Sequence, residues 1–132
     1  MVIAFLMMNP CHHKYSRNMD NIGGEYNGYV AFDQELPPSW QGNFSSHGDD
    51  TLDGMVKVHG GITFDSEWDA LKDCPIIPLT AIPSPEELKK FRCIGFDTLH
   101  YDDTRDKWPI ENVKAETLEL MHQIEKLIAE RK

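Results

Sequence analysis

Two short stretches of this chain join glycine-permitted backbone to groups that can do chemistry. One is Val58-His59-Gly60-Gly61-Ile62-Thr63-Phe64; the other is Ile94-Gly95-Phe96-Asp97-Thr98-Leu99-His100-Tyr101-Asp102-Asp103. A carboxylate that orients an imidazole makes a general base, so His59, Asp97 and His100 are the catalytic candidates if the chain is an enzyme. The same groups suit a second chemistry. Asp97, His100 and Asp102 or Asp103, with His59, supply the mixed nitrogen and oxygen donors of a divalent metal site, and Asp97, His100 and Asp103 are the metal-ligand candidates. Outward-facing amides at Gly60 and Gly61 would meet a carboxylate or phosphate, as oriented backbone N–H groups do. The ligand-binding set is then His59, Gly60, Gly61, Thr63 and Asp97.

Each residue also has a plainer reading. Asp97 alone reads as a loop-capping carboxylate, and His59 as a half-buried histidine bonded to a backbone carbonyl. Tyr101 and Asp102-Asp103 read as turn residues and solubilising charge. Cys11-His12-His13 would bind a transition metal only if Cys74, Cys93 or His47 came close, and a polar loop is the simpler reading. Trp40, Trp68 and Trp108 read as core or rim aromatics, because no Lys or Arg interleaves with them as in a base-stacking platform. The chain has no His-Glu-x-x-His, Gly-x-Gly-x-x-Gly, Walker or Gly-x-Ser-x-Gly motif.

The elements that must position these residues follow from patterning. The apolar run Val2 to Met8 is far short of the ~20 residues of a membrane span and reads as a strand buried on both faces. Residues 9–24 read as a loop, and Asn27 to Phe32 as the next strand. Met55-Val56-Lys57-Val58-His59 alternates, which predicts a strand with Val56 and Val58 on one face and Lys57 and His59 on the other, interrupted at Gly60-Gly61 by a bulge or a close approach. Asp65-Ser66 predicts the cap of a short helix through Trp68 and Leu71, and prolines 75, 78 and 83 an irregular crossing. Ser84-Pro85-Glu86-Glu87 carries the N-cap, N1 and N3 signals of a helix start. Phe91 to Asp97 reads as a strand with Ile94 and Phe96 on one side. After Trp108-Pro109, apolar residues from Ile110 to Ile128 recur at helical spacing, a stripe made to lie on a sheet; His122 beside it reads as exposed. The expected fold is α+β in a single domain, 1–132. It has a mostly antiparallel or mixed sheet of about four strands near 2–8, 27–33, 54–64 and 91–97, and a long C-terminal helix on one face.

Charge narrows the partners. The formal net charge is -9, with 22 acidic against 13 basic residues. Nucleic acid and anionic membrane are therefore not expected, since both are bound through clustered Lys and Arg. Residues 1–48 hold two basic and four acidic residues; residues 49–132 hold eleven and eighteen. Part of the second share flanks the two stretches, which favours a cation or cationic surface there. Three cysteines without close spacing predict a reduced, cytoplasmic chain, and no basic n-region announces a secretory signal.

Asn27-Gly28-Tyr29-Val30, His59-Gly60-Gly61-Ile62-Thr63-Phe64 and Gly95-Phe96-Asp97-Thr98-Leu99-His100-Tyr101-Asp102 resemble, in that order, a family of small acidic proteins of unknown function from bacteriophages, prophages and bacteria. Members similarly show Gly-Tyr-Val, His-Gly-Gly-Leu/Ile-Thr-Phe/Tyr and Gly-Phe-Asp-x-x-His-x-x-Asp segments before a C-terminal helix. This chain departs from them at Cys93-Ile94, where they usually carry a Trp pair; their third-position acid falls here on Asp103. The resemblance implies that His59, Gly60, Gly61, Asp97 and His100 share one site, in host cytoplasm if the protein is phage-encoded. It names no chemistry.

Three functions are then open. One is an accessory protein binding a small polar or nucleotide-like molecule, or a host protein, at these residues; the acidity counts against the nucleotide version. Another is a metal-assisted or general-base hydrolase of a small phosphorylated or acyl substrate, with His59 as base and Asp97, His100 and Asp103 orienting it or holding a metal. The third is an interaction module whose His and Asp brace loops.

Overall fold

The computed structural model describes residues 1–8, 26–33, 56–68, 75–98 and 107–130. Its strands are β1 (Val2–Met8), β2 (Tyr26–Phe32), β3 (Phe64–Glu67), β4 (Ile77–Pro78) and β5 (Arg92–Phe96). The helices are α1 (Pro85–Leu88), between β4 and β5, and α2 (Ile110–Glu130) at the end. The five strands form one sheet in the order β3-β5-β2-β1-β4, with every neighbouring pair antiparallel. An α+β fold with a long C-terminal helix on one face is therefore what this sequence adopts.

Both faces of the sheet are covered, which explains why β1 is apolar at every position from Ile3 to Met7 rather than at alternate ones. Ala4, Leu6, Val30, Phe32, Ile94 and Phe96 point to α2 and meet Val113, Leu120, Ile124 and Ile128 of its buried stripe. Ile3, Phe5, Met7, Tyr29, Ala31 and Cys93 point the other way, beneath Trp68, Leu88 and Phe91. Aromatic contacts knit this second layer. Phe5 stacks on Tyr29 at 5.4 Å between centroids, and Trp68 meets Phe5 edge-on at 5.3 Å.

Two strand glycines admit close neighbours. A Cβ at Gly28 would collide with Thr117 Oγ1 of α2 and with the Phe96 ring, so the missing side chain is what lets helix and sheet approach there. Thr117 is fully buried and gives its hydroxyl proton to Val113 C=O at 2.6 Å, so it brings no unpaired donor into the interface. Gly95, directly across from Tyr29, is covered by that tyrosine's ring.

The predicted strand at 54–64 is displaced. The sheet strand begins only at Phe64, and residues 56–63 instead form a strap without ladder pairing until Thr63 N–H donates to Gly95 C=O at 2.9 Å. The Val56 and Val58 alternation has a different cause: Val56 and Ile62 are buried in the α2-side core while Lys57 is exposed. The predicted helix from Asp65 is also displaced, because Phe64–Glu67 completes the edge of β5. Asp65 lies within β3; its carboxylate is buried, with Oδ1 2.5 Å from Arg92 Nε on the diagonal position of β5. The continuation of that predicted helix, 69–71, lies outside the described residues.

Elsewhere, prolines do what their chemistry permits. Pro78, lacking an N–H, sits in the two-residue edge strand β4 opposite Phe5, and Leu79 N–H bonds Ala4 C=O at 2.9 Å. Ser84 caps α1, accepting from Glu87 N–H at 3.4 Å, with Pro85 opening the first turn.

Candidate functional site

The strap begins as an extended segment and then turns sharply. Gly61 N–H donates to Val58 C=O at 2.9 Å, closing a four-residue turn with His59 and Gly60 at its centre. Gly60 has φ 71° and Gly61 φ 80°, both in the left-handed region that side chains with a Cβ rarely occupy. Positive φ at the third residue is the type II pattern, for which glycine is the ordinary choice. A turn thus replaces the predicted bulge, and it overrides the alternation that set His59 opposite Val56 and Val58. One predicted donor is also committed, because the Gly61 amide is the bond that closes the turn.

His59 is half-buried, its ring 4.1 Å from that of Trp108 at an interplanar angle of 42°. Trp108, just ahead of α2, also approaches Phe96 at 6.4 Å. A single indole therefore joins the strap to the end of β5, one residue before Asp97. Thr63 is exposed, and the bond from its amide to Gly95 brings the strap to β5 a second time. The two stretches singled out in the sequence are neighbours at the His59–Gly61 turn and the Phe96–Asp97 strand end.

Beyond Asp97, which is half-buried, the chain is anchored by a fully buried threonine. Thr98 N–H donates to Asn27 Oδ1 at 3.2 Å, and Thr98 Oγ1 donates to Tyr26 C=O at 2.8 Å. These bonds stop β5 and fix where Asp97 leaves the sheet. His100 and Asp103 lie outside the described residues, as do Asp102, Cys11, His12, His13, His47 and Cys74. Among the described residues, no three His, Cys, Asp or Glu side chains converge as a metal-holding group.

The second side of the site comes from a residue with no sequence signal. Gln123 of α2 accepts from Lys57 N–H through Oε1 at 2.7 Å and donates from Nε2 to Lys57 C=O, also at 2.7 Å. One side-chain amide thereby gives Lys57 the two bonds that a neighbouring strand would have made. A local pattern cannot reveal a partner 66 residues away. Trp108 offered a partial signal, as an aromatic immediately before a Pro-initiated helix, but nothing that pointed to His59.

Beneath the site the chemistry is inert. Cys93 lies on the far face of β5, its thiol pushed up to about 12 chiefly by burial and further by the Asp65 carboxylate, with Arg92 opposing. His122, next to Gln123 on α2, is surface exposed, with Nδ1 3.5 Å from Glu125 Oε1. Among the described residues no helix is long and apolar enough to cross a membrane. No protein-family model, curated protein or solved structure matches this chain.

Proposed function

We propose that this protein is a small accessory binding protein, of the phage-related kind its sequence resemblance implies, that takes a small polar ligand or a host partner at the His59–Gly61 turn and the Asp97 strand end. The observation carrying this reading is Trp108, which holds the His59 ring and the end of β5 in one place. An imidazole propped on an indole, beside glycine backbone and a carboxylate-bearing strand end, is a pre-positioned recognition surface whose ordering cost has been met in folding. Its acidic surroundings in sequence suit a ligand or partner surface that carries positive charge.

Calorimetric titration with amines, amino acids, nucleotides and acyl phosphates, together with capture of host protein on immobilised chain, tests it. Binding that is lost in His59→Ala and Asp97→Asn while both variants keep the parent melting temperature supports the proposal. If Asp97→Asn instead melts far lower and binds unchanged, Asp97 is a brace. Turnover of a phosphorylated or acyl substrate, with a bound divalent metal by elemental analysis, would replace this reading with the hydrolase.

A further inference from the structure

We infer that Gln123 is the positioning residue of the His59 turn. This rests on the proposed binding reading for its importance, but its geometry stands without it. Lys57 immediately precedes the hydrogen-bonded turn that begins at Val58 and has His59 at its second position. Fixing both polar groups of Lys57 fixes the plane in which the strap enters that turn, and with it the direction from which His59 leaves. Gln123 does this from a helix that is itself held by four buried apolar side chains, so the reference point is rigid.

The choice of glutamine follows from donor and acceptor counts. Only a carboxamide offers one acceptor and one donor at the spacing of a peptide group. Glutamate at neutral pH keeps the bond from Lys57 N–H but turns a second anionic oxygen toward Lys57 C=O. Methionine keeps the length and loses both bonds. Without the clasp, the strap retains Val56 and Ile62 as apolar anchors. Those anchors resist removal of the strap from the core, yet neither sets the peptide plane at Lys57. The clasp therefore separates two tasks, adhesion by the valine and isoleucine and orientation by the amide.

The test uses the full chain with no ligand present, comparing Gln123→Met and Gln123→Glu with the parent. In the parent, the ring current of the tilted Trp108 indole is expected to displace the His59 ring protons in the NMR spectrum. In Gln123→Met that displacement is lost, and the Lys57 amide exchanges on the order of tenfold faster, while the melting temperature changes little. Gln123→Glu lies between the two, which keeps the inference testable should the methionine variant fold poorly. Unchanged His59 resonances alongside faster Lys57 exchange would overturn it, leaving Gln123 a tether only. No change in either readout overturns the clasp itself. Since no ligand enters the measurement, the binding proposal can fail with this result intact, and the reverse.

Discussion

Helix α2 and the strap at 56–63 lie on the same core, yet they are held there differently. The helix presents Val113, Thr117, Leu120, Ile124 and Ile128 as one buried stripe against three strands' worth of apolar side chains. The strap contributes Val56 and Ile62 to that core, with Val58 packed against it, and is placed further by individual contacts that include one glutamine amide, one tilted ring contact, the Thr63 bond to Gly95 and two glycines with positive φ. Burial is additive and forgiving of small changes in angle, whereas each point contact is specific and removable. The candidate site is on the second kind of structure, carried by the first.

Removing core volume should show the first kind at its strongest. Leu120→Ala is expected to cost ~2–5 kcal/mol in denaturant unfolding, the range for a fully buried leucine whose cavity cannot collapse. The whole protein should lose stability together, and the His59–Trp108 ring contact should survive in the fraction that stays folded. If the strap came loose first, its separation from the core's own stability would be wrong.

A change in the turn should do the converse. Gly61→Ala places a Cβ at φ 80° and is expected to cost ~1–2 kcal/mol. The loss should be confined to the strap, read as faster amide exchange at Lys57 and at the substituted position itself, with little change at Val30 or Ile94 in the sheet. Uniform acceleration across both regions would merge the two into one cooperative unit.

The last effect is absent near neutral pH, develops only in the alkaline range and marks the core alone. With its thiol pushed up to about 12, Cys93 holds its proton in the folded state where an unfolded thiol, near 9, has lost it. Folding stability from this group is therefore present below about pH 9 and falls as pH rises from there toward 12. Cys93→Ala should flatten that component of the alkaline decline. Peptide mapping after brief alkylation should find Cys93 unmodified in the native protein, and still unmodified in Gly61→Ala if only the strap has opened.

This contrast also explains what was legible in the sequence. Helix α2, β1, β2 and β5 were readable because their placement is written in periodicity and apolar runs, which burial enforces over many residues. The Ser84-Pro85-Glu86-Glu87 start was readable because capping is local chemistry. Alternation at Val56 and Val58 recorded true burial, but burial does not say whether a backbone pairs with a strand or with a side chain. Asp65-Ser66 had the composition of a cap, and the open edge of β5 outweighed it. At the site, His59, Gly60, Gly61 and Asp97 could be noticed by type, whereas Trp108 and Gln123 act through tertiary contacts that leave no spacing to read.

Strand order carries a last consequence, for the chain as it is made. The sheet's central strand, β2, ends at Phe32, and its partner β5 begins at Arg92, 60 residues later. At ~5–20 residues per second, translation leaves that flank of β2 unmatched for roughly 3–12 s, with α2 later still. A nascent β1–β2 hairpin, apolar on both sides, is therefore the species that must be kept from pairing with a neighbour. Among the described residues, the outer strands of the completed sheet are the four-residue β3 and the two-residue, proline-bearing β4, both poor templates for further pairing. The hazard belongs to synthesis, and for the open flank of β2 it ends when β5 pairs there.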